Sequence, residues 1–260
     1  MRMGMVLAVA VFVAAGLLGA STGPISPSGA TTAMASAVFE GTPAAARIPG
    51  GLGWYSSNWA GYAVGGGPYR SASGQWTVPS VSARGAVGFS AQWVGIDGFS
   101  NRSLIQAGTE ADFYAGSAHF SAWWEILPAP AVRIRGLSVR AGDVITVTIA
   151  RVSTGRWRIT VKDARSGSYS TTRPYAGPGT SAEWIEEAPI VAGRATALAV
   201  HGTLVFDNAR VDGSNPALVA DDAGAMIRHG VQSNTPSAPD ADGNGFALAQ
   251  QAVPPVPPAT

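Results

Sequence analysis

Short runs of β-branched and aromatic residues alternate with turns rich in Gly, Pro, Asn and Ser over most of this chain. No stretch of about ten or more residues shows an apolar stripe at helical spacing with capping residues at its ends. We therefore predict strands over the runs 54–63, 72–78, 86–96, 103–113, 118–127, 143–152, 156–162, 181–187, 196–201 and 203–211. Many short strands separated by turns predict an all-β fold, either a sandwich or a barrel.

The alternation of a strand also assigns side chains to faces. Gln106 and Glu110 share one face of their run, Trp123 and Glu125 share one face of the next, and Glu183 lies on a similar face further along. Each of these faces mixes carboxylate or amide groups with Trp or aliphatic groups. Such a face suits a substrate groove or the solvated side of a sheet, and the pattern alone does not separate the two.

The first residues have the order of a secretory signal, with a positive end, an apolar run and then small residues. The apolar run, Val6 to Leu18, is too short to span a bilayer comfortably, which favours export and cleavage over a membrane anchor. We expect a secreted, extracellular protein with no membrane association after cleavage. The predicted segments are a signal peptide at 1–22, a linker or short propeptide at 23–52, a β-sandwich domain at 53–250 and a Pro-rich tail at 251–260.

Composition narrows the possible functions. Hydrophobic residues make up 46% of the 260 residues and charged residues only 13%, with a net charge of +1, so no basic surface for nucleic acid is expected. The chain has no cysteine, which excludes thiol nucleophiles, thiolate metal sites and disulfides. Few carboxylates also means few ion pairs for acid to disrupt, which is compatible with a protein that works in acid.

Several common kinds of catalytic site have no support in the sequence. The three histidines, His119, His201 and His229, are scattered, and no nucleophile-elbow motif precedes a helix. Residues 240–245 loosely resemble a calcium loop but lack its closing Glu, so we interpret them as a polar turn. The glycine run at 65–68 is interpreted as a hairpin turn. We predict neither a metal site nor a cofactor.

Carboxylate and amide chemistry remains, because two such groups can activate water and protonate a leaving group. Spacing does not choose among the candidate carboxyl groups, which are Asp97, Glu110, Asp112, Glu125, Glu183, Glu186 and Glu187. From the residues alone, the chain is an exported β-protein that is either an acid hydrolase or a carbohydrate binder.

Five segments, taken in order, resemble the glutamic peptidases, also called eqolisins or peptidase family G1. They are S-N-W-A-G-Y at 57–62, Q-W-V-G-I-D-G at 92–98, L-I-Q-A-G at 104–108, A-W-W-E at 122–125 and S-A-E-W-I-E at 181–186. Each segment is a weak signal by itself, but their order and spacing together are specific.

The resemblance implies a β-sandwich of two antiparallel sheets, broadly lectin-like, with the site on the concave face. It places the catalytic pair on Gln106 and Glu183. Glu183 would take a proton from a bound water and return it to the leaving nitrogen, while the Gln106 amide stabilises the oxyanion. A general base that works in acid must be ionised there, so we expect the pKa of Glu183 to lie near or below about 4.3.

The resemblance also suggests residues around the catalytic pair. Asp97 is expected to order a loop near the site, and Trp59 and Trp123 are favoured as groove residues. Glu110 and Glu125 are further candidates for substrate binding or support of the site. Polypeptides are the expected substrates, and a monomer is the expected form.

The chain departs from the family pattern at three of its positions. Glu110 stands where the family often has Asp, Ser121 where it usually has Asp, and Leu127 where it often has Tyr. These changes put substrate preference and pH range in question more than the type of reaction.

Two other functions fit the same fold. A lectin-like carbohydrate-binding module would need no special role for Gln106 or Glu183. A glycosidase with two carboxylates, such as Glu125 and Glu183, would need both and would not need Gln106.

Overall fold

The structure is a computed structural model that describes residues 41–42, 51–82, 87–191 and 194–259. The predicted signal peptide and most of the segment 23–52 lie outside the described residues. Within the described residues, no helix is long and apolar enough to cross a membrane.

The described chain is built almost entirely of strands, numbered here in chain order. The first ten are β1 (Gly41–Thr42), β2 (Trp54–Ser56), β3 (Trp59–Gly65), β4 (Ser71–Thr77), β5 (Val81–Ser82), β6 (Ala91–Ile96), β7 (Ile105–Tyr114), β8 (Ser117–Ile126), β9 (Val132–Arg133) and β10 (Val144–Ser153). The others are β11 (Arg156–Asp163), β12 (Gly167–Pro174), β13 (Ser181–Glu187), β14 (Ile190–Val191), β15 (Arg194–Ala195), β16 (Val200–His201), β17 (Leu204–Val211), β18 (Ala223–Arg228), β19 (Val231–Pro236) and β20 (Phe246–Ala249). A single 3-10 turn lies at Ala220–Asp222.

The long strands form two sheets that pack face to face. One sheet, called the site sheet below, has the order β2-β18-β3-β13-β6-β7-β8-β9, with β1 added to β2. The second sheet has the order β12-β11-β10-β4-β17-β20-β19 and is joined to the first through β18 and β19. Every pairing between these strands is antiparallel except that of β2 with β18. The predicted all-β antiparallel sandwich is confirmed.

Alternation along the strands builds the core between the sheets. On β10, Ile145, Val147 and Ile149 are fully buried, whereas Thr146 and Thr148 between them are partly exposed. The same pattern on β11 buries its Trp, Ile and Val and exposes its Arg and Lys residues, while Asp163 at its end is buried. The second sheet therefore has one apolar face on the core and one polar face toward solvent.

The central strands of the site sheet are buried on both faces. Trp184 and Val94 face the main core, while Ile185 and Trp93 face a second apolar cluster on the outer side of the sheet. That second cluster consists of Trp54, Trp59, Ala63, Ala91, Trp93, Leu104, Trp123 and Ile185. Polar groups on the outer face of β13 and β6 are therefore held away from water.

The predicted strand over 54–63 is divided in the structure into β2 and β3. The hydroxyl of Ser56 accepts hydrogen bonds from the backbone N–H groups of Asn58 and Trp59, each at 3.2 Å. A Ser side chain bonded to the backbone two and three residues ahead turns the chain locally. The strand is broken at this turn.

The interpretation of residues 65–68 as a hairpin turn is wrong. The turn joins β3 to β4, but β3 pairs with β13 and β18, and β4 pairs with β10 and β17. The turn therefore carries the chain from one sheet to the other. The predicted polar turn at 240–245 is present: the Asp240 carboxylate accepts the backbone N–H of Asn244 at 3.0 Å.

Candidate active site

Strand register places the predicted catalytic residues in one row across the site sheet. Glu183 on β13 pairs with Ala63 on one side and with Gly95 on the other. Gly95 on β6 pairs with Gln106 on β7, and Gln106 pairs with Glu125 on β8. Adjacent strands lie about 4.8 Å apart, so Glu183 and Gln106 stand roughly 10 Å apart at the backbone, with their side chains on the same face.

Gly95 leaves the space between the two side chains open. A methyl group added at Gly95 would lie 2.8 Å from the Trp93 ring and 3.2 Å from a carboxylate oxygen of Glu183. A methyl group there would therefore displace the Trp93 ring and would crowd both Glu183 and Leu104 Cδ1, which also lies 3.2 Å away. The row thus has two reactive side chains on either side of Gly95, which has no side chain of its own.

The Gln106 amide is oriented by Glu125. Gln106 is fully buried, and its Nε2 donates a hydrogen bond to Glu125 Oε2 at 2.7 Å. Its Oε1 is buried and has no hydrogen-bond partner within the described chain. An amide nitrogen carries two N–H groups, so one remains for a bound group after Glu125 has been satisfied.

The carboxyl group of Glu183 is fully buried. The residue has no exposed surface, and neither carboxylate oxygen has a hydrogen-bond partner among the described residues. Burial raises the pKa of Glu183 well above its ordinary value, and the charge of Asp97 raises it further. The Ser181 hydroxyl offsets part of this rise but lies outside hydrogen-bonding geometry. The expectation that the pKa of Glu183 lies near or below the ordinary Glu value is therefore wrong.

Asp97 fastens the loop that leads into β13. Its carboxylate accepts the backbone N–H groups of Gly179 and Thr180, both at 2.8 Å, and the hydroxyl of Tyr175 at 2.7 Å. It also accepts the side-chain amide of Asn101 at 2.8 Å. These bonds fix the start of β13, from which Glu183 projects.

Two of the departures from the family pattern are in direct contact. Glu110 and Ser121 are cross-strand partners on β7 and β8, and the Ser121 hydroxyl donates to Glu110 Oε2 at 2.8 Å. The longer carboxylate on one strand thus meets the shorter hydroxyl on the other. Burial raises the pKa of Glu110, and burial together with the Glu110 charge raises the pKa of Asp112 beside it.

Tryptophans pack around the row. Trp59 and Trp123, favoured as groove residues, are 0% and 3% exposed and belong to the second apolar cluster. Trp93 also reaches the row, since its ring lies against Gly95. Three histidines are dispersed: His119 stacks on Tyr114, and His201 is buried elsewhere against Glu186.

The chain matches a known protein family over most of its length. A model of the peptidase A4 family matches residues 57–243. The chain belongs to this family, the glutamic peptidases or eqolisins. It is 30% identical to aspergillopepsin-2 of Aspergillus niger over 198 residues, which covers 66% of this chain and 70% of that protein. It is 29% identical to scytalidopepsin B of Scytalidium lignicola over 136 residues, 50% of this chain and 51% of that one.

Solved structures of glutamic peptidases have the same fold. Scytalido-glutamic peptidase with a transition state analog inhibitor superposes with a TM-score of 0.63 at 23% identity, covering 75% of this chain and 98% of that one. Aspergilloglutamic peptidase from Aspergillus niger superposes with a TM-score of 0.53 at 26% identity, covering 63% and 99%. The resemblance found in the five sequence segments is confirmed, and the enzyme is a glutamic-type endopeptidase.

Sequence reasoning about this peptidase missed two features of its site. Gly95 was part of a motif, but nothing in the motif showed that it lies between the two predicted catalytic residues. Trp93 was also part of that motif, and only the folded sheet brings both its ring and the Glu183 carboxylate close to Gly95. Among the described residues, no group of three or more His, Asp or Glu side chains is arranged to hold a metal ion.

Gly95→Ala is expected to lower peptide hydrolysis by the enzyme at least about tenfold, because the new methyl group must displace Trp93 or Glu183. The measurement is kcat/KM on a peptide substrate. Gly65→Ala is the matched control, since Gly65 also lies in a strand of the site sheet and a methyl group there meets nothing within 4 Å. Equal activity of the two variants would contradict the proximity described here.

The buried carboxyl groups of this peptidase are expected to make its fold more stable in acid than at neutral pH. Burial raises the pKa of Glu183, Glu187, Glu110 and Asp112 above their ordinary values, that of Glu187 to about 8. A raised carboxyl pKa contributes stability that is fully present below the unfolded pKa, near 4, and is lost as the pH rises through the folded pKa. The free energy of unfolding should therefore fall by on the order of 5 kcal/mol between about pH 4 and about pH 8.

Denaturant unfolding at several pH values checks this prediction. Glu187→Gln should weaken the dependence of the free energy of unfolding on pH, because the amide does not titrate. Asp221→Asn, at an exposed carboxylate, should leave it unchanged. A free energy of unfolding that rises from about pH 4 to about pH 8 would contradict the prediction.

Proposed function

We propose that this chain is a secreted acid endopeptidase in which Glu183 and Gln106 together activate a water molecule for attack on a peptide bond. The observation that carries the proposal is the row Glu183–Gly95–Gln106. In it, a buried carboxylate and a buried amide oxygen lie on the same face of the site sheet, on either side of Gly95, and neither has a hydrogen-bond partner among the described residues. Buried polar atoms are rarely left unpaired unless a ligand or water completes them.

The proposed reaction uses each side chain in turn. Glu183, in its ionised form, accepts a proton from a water held between it and Gln106, and the water oxygen attacks the peptide carbonyl carbon. The free N–H of Gln106 donates to the oxyanion that forms. Glu183 then gives its proton to the leaving nitrogen as the C–N bond breaks, which restores the carboxylate.

The pH range follows from the burial of the carboxyl groups. A general base acts only when ionised, and burial raises the pKa of Glu183, so activity should fall as the pH drops through that raised value. A water that donates a hydrogen bond to Glu183 favours the ionised form and offsets part of the rise. At higher pH the protonated carboxyl groups that stabilise the fold are lost. We therefore place the optimum on the acid side of neutrality.

The same proposal includes secretion, a monomeric form and polypeptide substrates. The N-terminal order of charge, apolar run and small residues supports export. Aspergillopepsin-2 and scytalidopepsin B support polypeptides as the substrate class.

The test is digestion of an acid-denatured protein by the purified mature chain from about pH 2 to about pH 8, followed by mass spectrometry of the products. Internal cleavage with a maximum below neutrality is the expected result. A folded chain that cuts no peptide bond at any pH, but binds glycans, would overturn the proposal in favour of a lectin-like module.

A further inference from the structure

Glu187 is a second buried carboxyl group on the same face of β13 as Glu183. It is 1% exposed, and its carboxyl oxygens accept hydrogen bonds from the side chains of Trp93 and Asn58. The indole N–H of Trp93 lies 2.9 Å from Glu187 Oε2, and the amide of Asn58 lies 3.3 Å from Oε1. Burial raises its pKa to about 8, so Glu187 is a neutral acid in the pH range proposed for the enzyme.

Trp93 connects Glu187 to the row that holds the dyad. The N–H edge of its indole is bound to Glu187, and the opposite edge, at Cζ3, lies 2.8 Å from where a methyl group on Gly95 would be. The Oε2 atom of Glu183 lies 3.2 Å from that same point. The indole thus spans the distance between the two carboxyl groups of β13.

Further contacts restrict the movement of Trp93 and Asn58, which donate hydrogen bonds to Glu187. Trp93 is fully buried, and the Trp59 ring meets it edge to face at 4.8 Å between centroids. Asn58 is held by the hydroxyl of Ser56, which donates to its Oδ1 at 2.9 Å. The turn that separates β2 from β3 therefore supplies one of the two donors to Glu187.

We propose that Glu187 is a positioning residue for peptide hydrolysis. It holds the Trp93 indole against Gly95, which fixes the wall beside Glu183 and the space where the water is bound. This role rests on the function proposed above. Misplacement of reacting groups by about 1 Å lowers rates by as much as about 100-fold, so a hydrogen bond at the far end of the indole is able to affect the reaction.

Glu186 provides a matched control on the adjacent position of the strand. It is also fully buried, but it faces the opposite side of β13, where it is bound to His201 and to the Asn234 amide at 2.7 Å. Replacing it disturbs a buried hydrogen-bonded carboxylate without touching Trp93. Glu186→Gln therefore shows how far the replacement of a buried carboxyl group on β13 affects hydrolysis when the contacts of Trp93 are left in place.

The experiment compares steady-state peptide hydrolysis by Glu187→Asp, Glu187→Gln, Trp93→Phe and Glu186→Gln with the wild type. Glu187→Asp withdraws the acceptor by one methylene, and its kcat should fall about 10- to 100-fold with KM changed less than about threefold. Glu187→Gln keeps an oxygen for the indole and should stay within about threefold of the wild-type kcat, as should Glu186→Gln. In the Trp93→Phe background, Glu187→Asp should cause no further loss.

Two kinetic outcomes would overturn this role. One is a folded Glu187→Asp variant with the wild-type kcat; the other is a loss that adds in full to that of Trp93→Phe. A crystal structure of Glu187→Asp gives a reading that does not depend on activity, because the Trp93 ring should move away from Gly95. A ring that stays in place overturns the positioning role, whereas a wild type that hydrolyses no peptide overturns only the proposed function.

Discussion

Glu183→Gln is expected to lower kcat/KM for peptide hydrolysis by about 10³-fold or more. The amide has nearly the shape of the carboxylate but does not accept the proton of the attacking water, and general base catalysis contributes about 10²- to 10⁴-fold. The variant also removes a carboxyl group that is buried without hydrogen bonds. At about pH 8 it should therefore melt no lower than the wild type, which separates lost chemistry from lost folding.

The measurement is kcat/KM across the pH range, with thermal melting of the same samples. Glu186→Gln is the control, since it replaces the adjacent buried carboxylate on the opposite face of β13. Retention of more than about a tenth of the wild-type kcat/KM by a folded Glu183→Gln variant would rule out Glu183 as the general base.

Gln106→Ala is expected to lower kcat by about 10²- to 10³-fold with a smaller change in KM. Its amide donates to charge that develops only as the tetrahedral intermediate forms, and loss of one such donor has an effect of this size. Burial strengthens the effect, because Gln106 has no exposed surface. Removing the side chain also removes the hydrogen bond that Glu125 Oε2 accepts from the Gln106 amide at 2.7 Å.

Glu125→Gln separates the amide mechanism from a two-carboxylate mechanism. Its side-chain oxygen still accepts the hydrogen bond from Gln106, so activity should stay within about tenfold of the wild type. A glycosidase would instead need Glu125 and Glu183 and would tolerate the loss of Gln106. In peptide hydrolysis, an active Gln106→Ala variant beside an inactive Glu125→Gln variant would therefore support a two-carboxylate mechanism.

The fold class and the face of each polar side chain follow from the sequence alone. A period of two is a local property, and it assigned Gln106 and Glu125 each to one face of its own strand. In the structure the two residues are cross-strand partners, so their side chains lie on the same face of the sheet. The strands that the sequence pattern did not predict also have a local explanation. β12 is rich in Ser and Thr, is largely exposed and carries no apolar alternation. β18 contains Gly and β19 contains Asn and Pro, which weaken the strand pattern, and β20 is only four residues long.

Which strands become neighbours was decided only by the tertiary structure. β13 lies between β3 and β6, far from both in the chain, and this order creates the row through Gly95. Non-local pairing depends on how all the faces are buried together, and no short segment records it.

The tertiary structure also determined the pKa values of the buried carboxyl groups. The sequence determined that Glu183 is a carboxyl group on a mixed face, but burial on both sides of the site sheet raises its pKa, against the expectation from its type alone. The hydrogen bond from Trp93 to Glu187 has the same origin, because it joins two strands that are neighbours only in the folded sheet. The sequence thus determined the residue types and their faces, and packing determined their partners and their protonation, since only a closed sandwich removes these groups from water.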